Sequence, residues 1–442
     1  RTHKPEVGGS IPLPATKIVF NLCFLFYFIN NLMEDKSKNN INYLKEHYNN
    51  FIYPDPLLDI DQEFIDLKKH YYDDPTYYWH KIWPEKSFSD KKLEILVAGC
   101  GTNEAAVLAK CNPNHSFVGI DLSENSINHH KKLIKKHSIK NIEVICNDFR
   151  DVSFDKKFDL IISQGVIHHL DNPGSALKYF NENLNSKGVL SLMVYGDKIT
   201  GPINQLKNIF LKLELNQSKD SVAIIRDFFN NFRKDHPASI FYNQSVDSRF
   251  DAGIIDFILH KSEKFFSIKN LISLLANNNL IIKNFHDGNV RSLTKFFLYN
   301  VELIKRIRML PTEDQWEFGQ ILNWSDHRLA VFCTKKENIN DVINYSISNL
   351  DDYFICYRDG TKFKIEKNLF TIQTEIGDKY LFNVSVNDLF LWNLAFSGKI
   401  KLQQLLSAYS NIDQDKLRDF FLILIENGFV DVSLHKVEVN RA

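Results

Sequence analysis

From residue 93 onward the chain alternates between short unbroken apolar runs and stretches whose apolar residues recur at helical spacing. "LEILVAG" at 93–99 is apolar almost throughout, the pattern of a strand covered on both faces. "SFVGID", "IEVICND", "FDLIISQG" and "GVLSLMVYG" follow at spacings of about 20 to 30 residues. Between them lie amphipathic stretches such as "NEAAVLAKC" and "SENSINHHKKLIKKH", the second with Ser123 placed to cap a helix. Strand, helix and strand repeated in this way predict an α/β architecture. Its core is a doubly wound, mostly parallel sheet with right-handed crossovers, and its ligand lies across the carboxyl ends of the strands.

The rhythm breaks after Gly196. A helical insertion over about 197–262 runs from "GPINQLKNIFLKLE" to "DAGIIDFILH", after which "FSIKNLISLLANNN", "LIIKNF" and "HRLAVFCTKK" complete a seven-stranded domain spanning 91–336. Ahead of it, residues 33–90 carry "YYDDPTYYWHKIWPE", dense in Tyr, Trp and Pro, and read as a helical cap that serves as core or as a substrate lid. Behind it, residues 337–442 open with "YFICYRDGTKFKIEKN", an alternating pattern around Asp359-Gly360 that predicts a β-hairpin. Helical patterns and a short final strand follow, so this unit reads as a winged-helix-like accessory domain. It lacks a basic recognition helix, which points to dimerisation or presentation of a peptide or protein substrate rather than to DNA.

Composition narrows the partners. With 54 basic and 54 acidic residues the formal net charge is +0, so no global field draws nucleic acid or an anionic membrane. The six cysteines form no C-x-x-C pair, which gives neither a zinc set nor a disulfide framework and suits a reducing, cytoplasmic setting. "IVFNLCFLFYFI" at 18–29 is shorter than the roughly 20 residues of a membrane helix. Residues 1–32 are expected to be a leader foreign to the mature chain, with Met33 as its start. The lysines of "HHKKLIKKH" are expected to form a solvated face, and Trp392 to be core.

The chemistry is concentrated at the strand ends. "ILVAGCGTN" places Gly99 and Gly101 in the first strand-to-helix turn, where the backbone can pass close to a ligand. A dinucleotide fingerprint would have a third glycine at 104, but the residue there is Glu104, whose carboxylate would repel a pyrophosphate. Asp121 ends the second strand twenty residues beyond Gly101, where a carboxylate can accept from both ribose hydroxyls. Asp148 and Phe149 in "NDF" offer an acceptor and an apolar face to an adenine. "FDLIISQGVIHHL" brings Gln164, Gly165, His168 and His169 to the mouth of the central strand.

In this order the motifs resemble those of the class I S-adenosylmethionine-dependent methyltransferases, over residues 93–195 and, for the later strands, to 334. The resemblance implies a Rossmann-like fold and S-adenosylmethionine as cofactor, held by Gly99, Cys100, Gly101, Asn103, Asp121, Leu122, Asn147, Asp148, Phe149, Gln164 and Gly165. Among these, Asp121 would hold the ribose, Asp148 and Phe149 the adenine, and Gln164 would lie near the sulfonium. Val97 and Asn103 depart from the family, which often has an acid and a third glycine there, so recognition of the cofactor's amino group is partly reassigned. A sulfonium methyl is already electrophilic, so the protein's task is to align an acceptor and exclude water. His168 and His169 are the candidates for a general base, Asp251, Asp256 and His260 are candidate pocket residues, and no metal is expected. The acceptor would be a small molecule or a peptide or protein side chain. The rival readings are a nicotinamide-dependent oxidoreductase and a non-catalytic adaptor that binds the same cofactor.

Overall fold

The computed structural model describes residues 39–67, 69–286, 300–322, 328–358, 362–366, 369–373, 379–383, 389–410 and 412–437. The expected leader at 1–32, Met33 and the Asp359-Gly360 turn lie outside the described residues.

A helix over 39–50 (α1) and a short helix Trp79–Ile82 (α2) precede the sheet. The strands are β1 Glu94–Ala98, β2 Ser116–Asp121, β3 Ile142–Cys146, β4 Phe158–Gln164, β5 Leu184–Tyr195, β6 Leu280–Phe285 and β7 Arg328–Lys335. The helices between the first five are α3 Glu104–Cys111, α4 Glu124–Lys136 and α5 Pro173–Asn183. Spatial order is β3-β2-β1-β4-β5-β7-β6, parallel from β3 to β5, with β7 antiparallel to both neighbours. This is the seven-stranded, mostly parallel, doubly wound sheet that the apolar runs predict. Chain order reverses direction between β1 and β4, which opens a crevice at their carboxyl ends.

The unbroken apolar runs have a direct structural meaning. In β1, Leu96 and Ala98 join one core with Val118, Ile120 and Phe158, while Ile95 and Val97 join a second core with Ala105, Leu108 and Trp83. Both faces are covered, so no polar residue is tolerated between them. Ser123 caps α4, its Oγ accepting from the Ser126 N–H at 3.2 Å. Trp79 and Trp83 of the aromatic cap are core, 7% and 2% exposed.

The insertion consists of α6 Asp197–Lys212, α7 Lys219–Asn231, α8 Pro237–Gln244 and α9 Asp251–Phe257, packed around a core of its own that includes Phe229, Phe241 and Ile255. Helix α10, Ile268–Ala276, leads into β6, and α11 Val301–Arg308 and α12 Thr312–Leu322 precede β7.

After residue 336 the structure departs from the hairpin expected around Asp359-Gly360. Strand β8 Phe354–Tyr357 is the centre of a sheet ordered β12-β8-β13, with β12 Ser397–Lys401 and β13 Val430–Ser433. Strand β9 Lys362–Glu366 pairs instead with β10 Leu369–Gln373, which pairs with β11 Lys379–Asn383. The flanking strands part because Ile355 and Cys356 are fully buried between two partners, which leaves β8 no free edge to offer β9. Helices α13 Leu389–Phe396, α14 Leu402–Ala408 and α15 Gln414–Glu426 cover this sheet. Trp392 is 1% exposed and its indole N–H donates to the Tyr409 hydroxyl at 2.8 Å. No helix among the described residues is long and apolar enough to cross a membrane.

Candidate active site

The turn after β1 is shaped by close contacts. Gly99 and Gly101 have φ of +76° and +56°, a region that side chains rarely adopt. A Cβ on Gly99 would lie 2.3 Å from Val166 Cγ2, and one on Gly101 would lie 2.9 Å from Pro54 Cδ. The N–H groups of Gly99 and Cys100 both donate to Ile120 O, at 2.8 and 3.0 Å, which ties the turn to the end of β2. Asp121 closes the same knot: Oδ2 accepts from Gly101 N–H and Oδ1 from Ser123 N–H, each at 2.8 Å. Burial outweighs these bonds and pushes its carboxyl up to about 6. Each oxygen keeps one lone pair for a further donor.

Above the turn lies a cavity of about 280 Å³. Gly99, Cys100, Gly101, Asn103, Asp121, Leu122, Asn147, Asp148, Phe149, Gln164 and Gly165 all line it. Asp148 is partly spoken for, since Arg150 contacts both of its oxygens at 2.7 to 3.3 Å. Phe149 is 6% exposed and packs on Phe180 with ring centroids 5.1 Å apart. Gln164 is fixed by Ser191, its Nε2 donating to Oγ at 3.0 Å. Glu104, the residue that breaks the dinucleotide pattern, also lines the cavity, and burial with the nearby Asp73 charge raises its carboxyl well above the ordinary range.

The paired histidines separate. His169 lines the cavity, with Nδ1 3.0 Å from Ser262 O; since a carbonyl only accepts, the proton sits on Nδ1 and the Nε2 lone pair is available. Burial lowers its pKa and keeps it neutral. His168 is fully buried and does not line the cavity; its ring lies 4.1 Å from that of Tyr195. Of the three insertion residues, Asp256 lines the cavity and His260 is buried beside it, whereas Asp251 faces out to Arg226 at 2.9 Å.

Of the far wall, the chain pattern singled out Asp256 but none of the tyrosines. Tyr48 of α1, Tyr53, Tyr195 at the end of β5 and Asp256 of α9 face His169 there. The Tyr48 hydroxyl donates to Asp256 Oδ1 at 3.0 Å and that of Tyr53 to Asp247 Oδ1 at 2.8 Å. His47, Asp256 and His260 present ligand atoms within 4.8 Å of one another, a set that could hold a metal. The Ser262 N–H, however, donates to His260 Nδ1 at 3.1 Å, which puts the ring proton on Nε2 and leaves neither nitrogen a lone pair for an ion. A larger cavity, about 670 Å³, lies away from the strand ends between β6, α12, α15 and residues 342–348; Arg308 and Glu426 on its wall neutralise each other at 2.9 Å.

The comparisons agree with this geometry. Residues 89–236 match the family described as methyltransferase domain. Over these residues the chain is similar to methyltransferase domains, and its sheet carries the fold of a solved methyltransferase. The domain's fold recurs in PKMT2 of Rickettsia typhi in complex with AdoHcy, with a TM-score of 0.59 at 16% identity, covering 82% of this chain and 76% of that one. An uncharacterised protein of Synechococcus is 24% identical over 54% of this chain and 58% of its own length. Malonyl-[acyl-carrier protein] O-methyltransferase of Priestia megaterium is 27% identical over 25% of this chain and 40% of its own. The chain thus spans less than two thirds of these two curated relatives.

Proposed function

We propose that the whole chain transfers a methyl group from S-adenosylmethionine to an acceptor bound between the sheet and its helical covers. The observation that carries this reading is the convergence of the eleven residues named for the cofactor on one cavity at the switch point of the sheet. When bound, the cofactor supplies the activated methyl group. Asp121 takes the ribose hydroxyls on its remaining lone pairs, and Phe149 with Leu122 gives the adenine an apolar wall beside Asp148. Gly99 and Gly101 let the methionyl part lie against bare backbone, and Glu104 supplies the carboxylate for the cofactor's amino group that Val97 does not. Gln164, anchored by Ser191, lies near the sulfonium. His169 accepts a proton where the acceptor has one to lose, and His168 supports its ring from behind.

The acceptor is a small molecule or a peptide or protein side chain. Residues 337–442 act as an accessory unit for self-association into a homodimer or for presenting such a substrate, in the cytoplasm and without nucleic acid or membrane. Calorimetric titration of the purified chain with S-adenosylmethionine, S-adenosylhomocysteine and NADH tests the reading. Micromolar binding of the first two without the third is the expected result. Binding of NADH alone would return the chain to the oxidoreductases, and cofactor binding without turnover on any acceptor would leave an adaptor.

A further inference from the structure

The wall of the cavity carries four carboxyl groups, Glu104, Asp121, Asp148 and Asp256, and among its described residues no lysine or arginine. Three of them serve the cofactor end in the reading above, and Arg150 already neutralises Asp148. Asp256 is different. It lies across the cavity, 3% exposed, among Tyr48, Tyr53, Tyr195 and His169. Both of its named contacts, the Tyr48 hydroxyl at 3.0 Å and His47 Nε2 at 3.5 Å, fall on Oδ1; Oδ2 accepts no hydrogen bond among the described residues. The Lys207 ammonium nearby is held by Glu263.

A buried carboxylate with one bare oxygen is costly unless a cation meets it. Tyr48, Tyr53 and Tyr195 line the same wall, and aromatic rings tolerate a cation beside them. A carboxylate acceptor would meet like charge with no lysine or arginine on the wall to offset it, and a neutral hydroxyl would leave the Asp256 charge to the neighbouring histidines alone. Resting on the proposed methyl transfer, we infer that Asp256 with Tyr48, Tyr53 and Tyr195 forms the acceptor subsite, and that the acceptor is an amine which enters as its ammonium ion. Its ammonium docks on Asp256 Oδ2 and gives one proton to His169 Nε2. The freed nitrogen lone pair forms the N–C bond as the C–S bond breaks, with that electron pair left on sulfur. The product is a methylated ammonium, and His169 returns its proton to solvent.

The test uses the full chain. First, S-adenosylmethionine binding is measured by calorimetry; its absence would defeat the underlying methyl-transfer reading and not this assignment. With the cofactor bound, S-adenosylhomocysteine formation is followed with cadaverine and a lysine-containing peptide as amines, a serine- and tyrosine-containing peptide as hydroxyls, and glutarate as a carboxylate. Turnover confined to amines is the expected result, and the two amine arms separate a free from a peptide-borne source. Turnover of hydroxyls or carboxylates in preference, or of nothing in the panel despite cofactor binding, overturns the assignment. In Asp256→Asn, KM for the amine should rise tenfold or more while cofactor affinity stays within twofold. The dissociation constant of the amine from the protein saturated with S-adenosylhomocysteine should rise in parallel. Loss of cofactor affinity instead would assign Asp256 to the sulfonium and overturn the assignment. Asp256 is buried, so the wild-type panel and wild-type amine binding serve as tests that do not depend on its variant folding.

Discussion

In the proposed reading, cofactor recognition turns on Asp121. Two charge-assisted hydrogen bonds at roughly 1.5–3 kcal/mol each make Asp121→Ala weaker for S-adenosylmethionine by about two decades or more. Calorimetry on a variant with an unchanged circular dichroism spectrum checks this, and an unaltered affinity would remove Asp121 from the ribose. The same carboxyl sets a pH dependence. Burial raises it to about 6, so it is ionised and accepts at pH 7 and above, and becomes a donor as pH falls through 6. Cofactor affinity should therefore be flat from pH 8 to 7 and fall below about 6. That the residues proposed for the cofactor share one cavity was legible because each sits at the end of an apolar run in its own short motif. Tyr48, Tyr53 and Tyr195 escaped because they come from three separate stretches that only the fold unites. The nearest signal was "DAGIIDFILH", which named Asp256 and His260 together with the outward-facing Asp251. His168 and His169 are adjacent in sequence, yet only the second reaches the cavity, a distinction set by the 3-10 turn at Ile167–His169.

Among the elements, the sheet was readable because burial on both faces makes its strands mostly apolar runs, and the insertion was readable as helical from its spacing. The β8–β9 relationship was not, since an Asp-Gly turn specifies a local bend while the strand's partners are chosen by distant packing. The insertion is tied to the His168–His169 turn through the Lys207–Glu263 pair and through Lys264, whose backbone N–H donates to His168 O at 2.9 Å. Burial drives the Glu263 carboxyl up to about 8, with Lys207 only partly offsetting it. Replacing Lys207 by Met leaves that buried carboxyl without its partner and should cost about 1–3 kcal/mol. Adding Glu263→Leu should restore most of the loss, because two apolar side chains can fill the space of a buried pair. Urea unfolding of the single and double variants decides it; a single variant within 1 kcal/mol of the parent would show that the pair does not hold α6.

At the scale of the whole molecule, the C-terminal unit is docked on the cap that precedes the sheet. Lys81, 2% exposed, reaches Asp431 Oδ2 at 3.3 Å, His80 Nε2 lies 3.5 Å from the same oxygen, and Leu434 N–H and Ser433 Oγ both donate to Pro84 O. Burial opposes ionisation of Asp431, but Lys81 and His80 outweigh it and hold the carboxyl well below the ordinary range. A depressed carboxyl stabilises the fold above its unfolded pKa, about 3.9, and loses that contribution as pH falls below it, because the unfolded chain takes up the proton first. Thermal unfolding should thus lose midpoint steeply below about pH 4. Asp431→Asn should be less stable than the parent at pH 7 and show a flatter acid limb. An acid limb identical to the parent's would mean that the docking does not rest on this charge.

The far wall of the cavity is assembled from residues 48, 53, 169, 195 and 256, and that order has a consequence for synthesis on the ribosome. Chains fold from the N-terminus as they emerge. All eleven residues named for the cofactor have left the tunnel well before α9 is translated. In the proposed reading, a nascent sheet can therefore acquire its cofactor early, and a bound cofactor stabilises whatever holds it. Until Asp256 arrives, that wall lacks its charge. In the proposed reading, methyl donation waits on the last helix of the insertion, and a chain that stalls before it would hold cofactor without using it.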